Sequence, residues 1–325
     1  MLKTGKLDSE VLKRIIFDNI KFKRDEIITR PGIGEDCAEI DFGESVCVMS
    51  TDPITASVND IGRLSIHISC NDIASNGVQP LGIMLAVMLP VGTDEEDIQT
   101  IMKQAAAAAE IMEVEIIGGH TEITPAVNKP VIVSTAIGRR LKNKTRQEIK
   151  EGDKIFITKF CGIEGTGIIA CDRRDEMKSI LTADELAEAE SMLDMVSVVK
   201  EGVIAGDIGV SAMHDITEGG VLGAVWELCQ VAGLGAEIRV SDIPVRPVTR
   251  KICDYFDIDY LRLISSGCML IIAPPEKQQE LESRIDMIKC IGEIRPADYG
   301  VMMITDEDTA EITPPESDEL YKAVK

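Results

Sequence analysis

Three short segments in the first quarter of the chain each place an aspartate beside glycine or another small residue. They are Gly34-Glu35-Asp36-Cys37-Ala38, Ser50-Thr51-Asp52 and Asn71-Asp72-Ile73-Ala74, and Gly118-Gly119-His120-Thr121-Glu122 follows them. Magnesium takes few protein carboxylates and keeps positions for water and substrate phosphates, so isolated aspartates on several elements suit it. A single aspartate beside glycine is typical of a turn. The order of all four segments in one chain therefore indicates a site for magnesium and a polyphosphate.

Two secondary-structure elements must position Asp52 and Asp72. The apolar segment Val46–Ser50 predicts a buried strand with Asp52 at its carboxyl end. Residues Ile61–Asn76 predict a helix that stops at Gly77 and carries Asp72 in its last turns. A carboxylate near a helix C-terminus opposes the helix dipole and calls for a cation. Exposure of Asp72 to water is the alternative interpretation.

The charge of the chain limits its partners. Its 34 basic and 56 acidic residues give a formal net charge of −22, which repels nucleic acid and anionic membranes. We expect neither as a partner. An ATP ligand is anionic too, so its phosphates need bound cations or helix N-termini.

The cysteines and the hydropathy of the chain predict a soluble, cytoplasmic protein. Nine cysteines are scattered without a Cys-x-x-Cys pair, which argues against a zinc ribbon and a disulfide framework. The first residues show no apolar signal sequence. The longest apolar run, Leu81–Leu89, is far shorter than the ~20 residues that span a bilayer.

A basic polar run, Arg139–Arg146, separates two halves that both mix strands and helices. We interpret it as a solvated connection between two domains, residues 1–141 and 152–325; phosphate binding by this run is the less favoured alternative. The predicted fold class is α/β, with strands and helices mixed in both domains.

Five motifs together resemble the aminoimidazole ribonucleotide synthetase-like superfamily, and the resemblance covers nearly the whole chain. Four are the segments above, the first extended to Gly32, and the fifth is His214-Asp215-Ile216-Thr217-Glu218-Gly219-Gly220. The superfamily includes the purine-pathway cyclo-ligase, thiamine monophosphate kinase, selenophosphate synthetase and a hydrogenase maturation protein. The resemblance implies an ATP-dependent step, an N-terminal domain that pairs in a β-barrel across a homodimer, and a C-terminal α/β domain.

The resemblance also implies roles for individual residues. Asp36, Asp52 and Asp72 match magnesium-binding aspartates. The residues matched to nucleotide binding are Gly118, Gly119, Thr121 and Lys6. Asp215 matches an acidic residue on the acceptor side, and His214 beside it is a second candidate for orienting the acceptor. Packing of His214 under the following helix is the alternative.

His120 departs from the aspartate found at its position in the kinase and hydrogenase-maturation branches. A histidine suits magnesium less well than a carboxylate does. Three interpretations follow: one metal is lost, the site resembles the selenophosphate branch and His120 binds metal, or His120 only hydrogen-bonds to a ligand.

The overall pattern is most similar to the hydrogenase-maturation branch, whose protein carries a modified cysteine at its C-terminal end. The printed chain stops at Lys325 without a nearby cysteine, so we expect it to lack that chemistry. Cys37 beside Asp36 is interpreted as a packed small residue. The prediction is a magnesium-dependent, ATP-using homodimeric enzyme that phosphorylates or activates an oxygen of an unknown small-molecule or protein acceptor. A small-molecule kinase resembling thiamine monophosphate kinase and a non-catalytic ATP sensor are the alternatives.

Overall fold

The computed structural model describes residues 9–15, 17, 20, 23–33, 35, 37–55, 60–141, 148–315 and 317–324. The strands in these ranges are β1 Ile27–Thr29, β2 Ala38–Asp41, β3 Ser45–Ile54, β4 Pro80–Leu89, β5 Glu115–Ile123, β6 Val131–Leu141, β7 Lys154–Thr158, β8 Ala212–Asp215, β9 Gly235–Arg239, β10 Met269–Ala273, β11 Ile288–Arg295, β12 Val301–Ile304 and β13 Thr309–Glu311. The α-helices are α1 Ser9–Ile15, α2 Ile61–Ser75, α3 Glu95–Ile111, α4 Ile163–Asp172, α5 Arg174–Met177, α6 Ala183–Ser191, α7 Val199–Ile208, α8 Gly220–Ala232, α9 Pro247–Phe256, α10 Gln278–Arg284 and α11 Leu320–Ala323.

The strands form two separate sheets. The first has the order β1-β2-β3-β6-β4-β5, and the second has the order β13-β12-β9-β11-β7-β10-β8. Most neighbouring strands are antiparallel, whereas β4–β5 and β9–β12 are parallel. This arrangement confirms the predicted α/β fold class. The domain limits 1–141 and 152–325 stay predictions.

One face of the first sheet is covered by α2. Its strands alternate buried and less buried residues, which is the period of a half-covered sheet. On the covered face the hydroxyls of Ser69 in α2 and Ser134 in β6 lie 2.7 Å apart. The opposite face carries side chains that are half-buried or exposed, among them Leu81 at 52% and Met84 at 48%.

The second sheet contains the more deeply buried strands. All five residues of β10 are buried, so the apolar run Cys268–Ala273 of the sequence corresponds to a strand covered on both faces. Helix α8 begins after Gly219, whose φ of +87° suits glycine, and its mostly buried residues pack into the same core.

Helix α2 also contacts the second half of the chain, because small residues let two backbones approach. A Cβ added at Gly202 of α7 would lie 2.4 Å from the Ala74 carbonyl oxygen. A Cβ at Gly206 would lie 2.4 Å from the Cα of Gly77. Larger side chains at these glycines would push α7 away from α2.

Several element boundaries differ from the sequence-based expectations. Strand β3 continues to Ile54, so Asp52 lies inside the strand and not at its end. Strand β5 runs through the two glycines to Ile123. Strand β6 includes Arg139–Leu141, whereas residues 142–146 of the predicted connection lie outside the described ranges. Among the described helices, none is long and apolar enough to cross a membrane.

Candidate metal and nucleotide site

Two of the predicted metal ligands meet at one serine hydroxyl. Ser50 and Asp52 are two residues apart in β3, so their side chains share the sheet face that α2 covers. Ser50 Oγ donates a hydrogen bond to Asp72 Oδ2 and lies 3.4 Å from Asp52 Oδ2. The fold therefore brings the carboxylates of Asp52 and Asp72 together, although they belong to a strand and a helix.

The last turn of α2 holds Asp72 by its main chain as well. The Asp72 carbonyl oxygen accepts hydrogen bonds from Cys37 Sγ at 3.2 Å and Ser75 Oγ at 2.7 Å. Asp72 is only 7% exposed, so the structure does not support the alternative in which its carboxylate is simply solvated. Cys37 is buried beneath it, as expected for a small packed residue.

The donor set of this site fits magnesium in kind. Two carboxylates facing one hydroxyl leave room for water and phosphate oxygens, which this ion prefers to a complete protein cage. Within the described residues, no group of three or more His, Cys, Asp or Glu side chains is placed to hold a metal ion. Asp36 and Lys6, the third predicted metal ligand and a predicted nucleotide ligand, lie outside those residues.

Gly118 and Gly119 lie in β5 with φ values of +154° and +149°. A Cβ on Gly119 would stand 1.9 Å from the Leu85 carbonyl oxygen, so only glycine lets β5 pair with β4 here. A Cβ on Gly118 would meet no heavy atom within 4 Å. Strand pairing therefore explains why residue 119 is a glycine. The backbone at Gly118, in contrast, has space for a ligand beside it.

His120 does not join the two aspartates within one chain. Strand pairing puts His120 in one row with Ala86, Val133 and Pro53, whereas Asp52 lies in the next row with Ser134. Adjacent rows of a sheet project to opposite faces. The His120 side chain is 69% exposed, and its Nε2 lies 3.2 Å from Glu122 Oε2. Thr121, the next residue, is also exposed.

His214 and Asp215 end strand β8 and are almost completely buried. His214 Nδ1 lies 2.6 Å from the Asp215 carbonyl oxygen and therefore donates to it, while Nε2 lies 3.1 Å from Glu227 Oε2 in α8. Both ring nitrogens face oxygen atoms, so a hydrogen bond joins His214 Nε2 to the Glu227 carboxyl group. This geometry supports the alternative in which His214 packs under the following helix.

Sequence reasoning missed Glu227, although a signal was available. Glu227 is the single acidic residue of α8, a helix whose other residues are mostly apolar and buried. A lone acid at such a place usually has a buried polar partner.

A second feature that sequence reasoning missed is a pair of buried carboxyls, Glu164 in α4 and Asp318 near the C-terminal end of the described chain. Burial raises the pKa of Glu164 to about 7, with Asp318 and Glu218 adding repulsion. Burial also raises the pKa of Asp318 to about 6, although its oxygens accept hydrogen bonds from the main-chain nitrogens of Leu320, Gly219 and Ile264. The hydrogen bond from Gly219 to Asp318 ties the C-terminal segment to the start of α8.

Similarity to known proteins agrees with this architecture. The family model described as AIR synthase related protein, N-terminal domain, matches residues 34–140, and its C-terminal counterpart matches residues 150–304. Together these matches span most of the chain and contain the strands of both sheets except β1, β13 and the last residue of β6.

Individual proteins resemble the chain over most of its length. The carbamoyl dehydratase HypE of Rhodobacter capsulatus is 26% identical, over 76% of this chain and 71% of that protein. A crystal structure of the hydrogenase maturation protein HypE in complex with ATP has a TM-score of 0.73 and 20% identity, covering 99% and 98% of the two chains. A ThiL structure complexed with AMPPCP and TMP has a TM-score of 0.75 and 18% identity, covering 97% and 99%. From the two family matches, this chain belongs to the AIR synthase related proteins.

Proposed function

We propose that this protein is a magnesium-dependent, ATP-using enzyme that activates an oxygen atom of an acceptor, as a HypE-like member of its family. The observation that carries the proposal is the meeting of the Asp52 and Asp72 carboxylates at the Ser50 hydroxyl. HypE and ThiL relatives with nucleotides bound have the same fold, which supports ATP as the substrate.

Asp52 and Asp72 are the described residues that would hold the cation. A bound magnesium ion would draw negative charge from the ATP phosphates as the γ-phosphoryl group leaves. Ser50 fixes the orientation of the Asp72 carboxylate by donating to it. The burial of Asp72 excludes water from one side of the site and strengthens its attraction for a cation.

The nucleotide end of the site is proposed to include β5. The main chain at Gly118 is open to close approach from the face of the sheet that also carries His120, because no heavy atom lies within 4 Å of the place of its missing Cβ. Thr121 adds an exposed hydroxyl on the same strand. Lys6 and Asp36 remain proposed ligands on the strength of the sequence motifs alone.

On the acceptor side, Asp215 is the proposed group that orients the reacting oxygen. It lies at the end of β8, the edge strand of the second sheet that packs near α2. His214 serves as a positioning residue, since its ring is held between the Asp215 carbonyl and Glu227.

A small-molecule kinase is the second candidate. The ThiL structure matches this chain as completely as the HypE structure does, and related structures are of thiamine monophosphate kinase. The two candidates share the site and differ in the acceptor.

We also propose that a second copy of the chain covers the face of the first sheet opposite α2. Three strands contribute mainly apolar side chains to it, namely Met49, Val133, Ile137, Met84, Ala86 and Met88. An apolar sheet face of this extent is typical of an interface between subunits. Met84→Glu should convert the homodimer to a monomer in analytical ultracentrifugation. Val91→Glu, in an exposed turn, is the matched control, and a monomeric wild-type protein would refute the dimer.

Turnover separates the enzyme from an ATP sensor. We expect slow phosphate release from ATP that accelerates with the correct acceptor, tested on a panel that includes carbamoyl compounds and alcohols. Asp52→Asn and Asp72→Asn should abolish the acceleration. Tight ATP binding without phosphate release across the panel would favour the sensor.

A further inference from the structure

Asn71, the residue before Asp72, joins the two halves of the chain. Its side chain is completely buried in α2. Nδ2 donates to the Val196 carbonyl oxygen at 2.8 Å, and Oδ1 accepts from the Val198 main-chain nitrogen at 2.9 Å. Both polar atoms of the amide are thus bonded to peptide groups that flank Ser197, more than a hundred residues away in sequence.

Residues 194–198, here called the 194–198 segment, are held from both sides. From the first half, Arg63 of α2 forms an ion pair with Asp194. From the second half, Lys159 Nζ donates to the Ser197 carbonyl oxygen at 2.6 Å and to that of Gly267 at 3.1 Å. The 194–198 segment is therefore a fixed surface against which α2 rests.

Lys159 is itself firmly placed, which makes this surface rigid. Its side chain is buried and pairs with Glu201 Oε1 of α7 at 2.7 Å. Gly267 approaches so closely that an added Cβ would lie 2.5 Å from the Met195 carbonyl oxygen. A shift of the 194–198 segment would break several buried polar contacts at once, and each broken contact leaves a desolvated group.

Consecutive residues on a helix point about 100° apart. In α2, Asn71 accordingly faces the 194–198 segment, while Asp72 faces Ser50 of the first sheet. A rotation of α2 that moved Asp72 away from Asp52 would break the Asn71 hydrogen bonds. The contacts of Asn71 and the place of the Asp72 carboxylate are thus mechanically linked.

We propose that Asn71 is a positioning residue whose two hydrogen bonds to the 194–198 segment set the rotation of α2 and thereby hold Asp72 in place for cation binding. The role of Asp72 in this proposal rests on the proposed function. The link between Asn71 and the 194–198 segment is inferred from the contacts alone. An experiment can therefore refute this link or the cation site of Asp72 independently of the other.

The test compares Asn71→Leu, which keeps the volume and removes both hydrogen bonds, with Ser69→Ala. Ser69 lies in the same helix and loses a buried hydrogen bond to Ser134 within the first half only. Calorimetric titration of ATP at a series of Mg²⁺ concentrations gives the half-saturating Mg²⁺. Asn71→Leu should raise it about fivefold or more, whereas Ser69→Ala should leave it within about twofold. Equal values for both variants would overturn the proposal.

Hydrogen exchange provides a readout that needs no ligand. In Asn71→Leu, peptides covering 61–75 and 194–200 should both exchange faster, whereas in Ser69→Ala only the first should. Unchanged exchange of 194–200 in Asn71→Leu would overturn the mechanical link. If residues 194–200 exchange faster in Asn71→Leu but the ATP affinity of the wild-type protein does not depend on Mg²⁺, the link is supported and the proposed function is refuted. Asn71→Ser, measured in the same way, replaces Asn71→Leu if the latter does not fold.

Discussion

Ser50 and Asp72 are joined by a hydrogen bond across 22 residues of sequence, from the hydroxyl of a β-strand serine to the carboxylate of a helical aspartate. The bond fixes which oxygen of Asp72 faces the first sheet. It also places that oxygen beside Asp52, whose own carboxylate lies 3.4 Å from the same hydroxyl. The strand and the helix thus create a site that neither contains alone.

Ser50→Ala should weaken the Mg²⁺-dependent part of ATP binding about 10- to 100-fold, because partners of metal ligands orient them. The free energy of unfolding should fall by about 1 kcal/mol, the usual effect of one lost hydrogen bond. Calorimetry and urea unfolding measure the two effects. Ser69→Ala, which also removes a buried hydroxyl on this face, should show only the stability loss. An unchanged Mg²⁺ dependence in Ser50→Ala would argue against this role.

Gly118 and Gly119 are expected to respond differently to alanine. Gly119→Ala should destabilise the protein by about 2–4 kcal/mol, because its Cβ collides with the main chain of Leu85. Gly118→Ala should cost about 1 kcal/mol from its backbone conformation and reduce ATP affinity. Thermal unfolding and ATP titration of both variants check this. Full ATP affinity in Gly118→Ala would remove Gly118 from the nucleotide site.

The sequence was sufficient to predict features that depend on local chemistry. Helical spacing and the position of Gly77 predict the helix that carries Asp72 and its stop, and in the structure the helix ends at Ser75 and Gly77 has a positive φ. The capping box of Thr182 and Glu185 is another local feature, since its partners are three residues apart in sequence.

Features that depend on strand register could not be predicted from the sequence. His120 lies on the face opposite Asp52 because of its pairing with Ala86, which follows an irregularity between Ile83 and Met84. A shift of one residue reverses the face of every side chain. The partners of Asn71 were equally hidden, because they are main-chain groups of a distant loop.

The hydrogen bond between His214 and Glu227 leads to a prediction for two substitutions of Glu227. Glu227→Gln keeps a hydrogen-bonding partner for His214 Nε2, since its amide can donate or accept, and should change the free energy of unfolding by less than about 1 kcal/mol. Glu227→Leu leaves the buried nitrogen without its partner and should cost about 1–3 kcal/mol. Neither should alter ATP affinity. Equal stability losses would show that the hydrogen bond is unimportant.

The raised pKa of Glu164 predicts a specific dependence of stability on pH. The folded protein retains the proton of Glu164 up to about pH 7, whereas the unfolded chain releases it near 4.5. The folded state therefore binds more protons in this window, and the contribution of Glu164 to stability falls as pH rises through it.

Glu164→Gln cannot ionise and keeps a similar shape. Relative to wild type, it should become more stable as pH rises from 4.5 to 8, by an amount on the order of 3 kcal/mol. Guanidinium unfolding at pH 4.5, 6 and 8 measures the difference. A constant difference across these pH values would contradict the buried, protonated state of Glu164.

The central claim is that Asp52 and Asp72 hold a magnesium ion through which this acidic protein binds ATP. Calorimetric titration of ATP with excess Mg²⁺ and with a chelator tests it most directly, in wild type, Asp52→Asn, Asp72→Asn and the exposed control Asp306→Asn. We expect chelation to weaken ATP binding at least about 100-fold in wild type and Asp306→Asn, and to have little effect on the two weakened site variants. Equal ATP affinity with and without Mg²⁺ in the wild-type protein would contradict the claim.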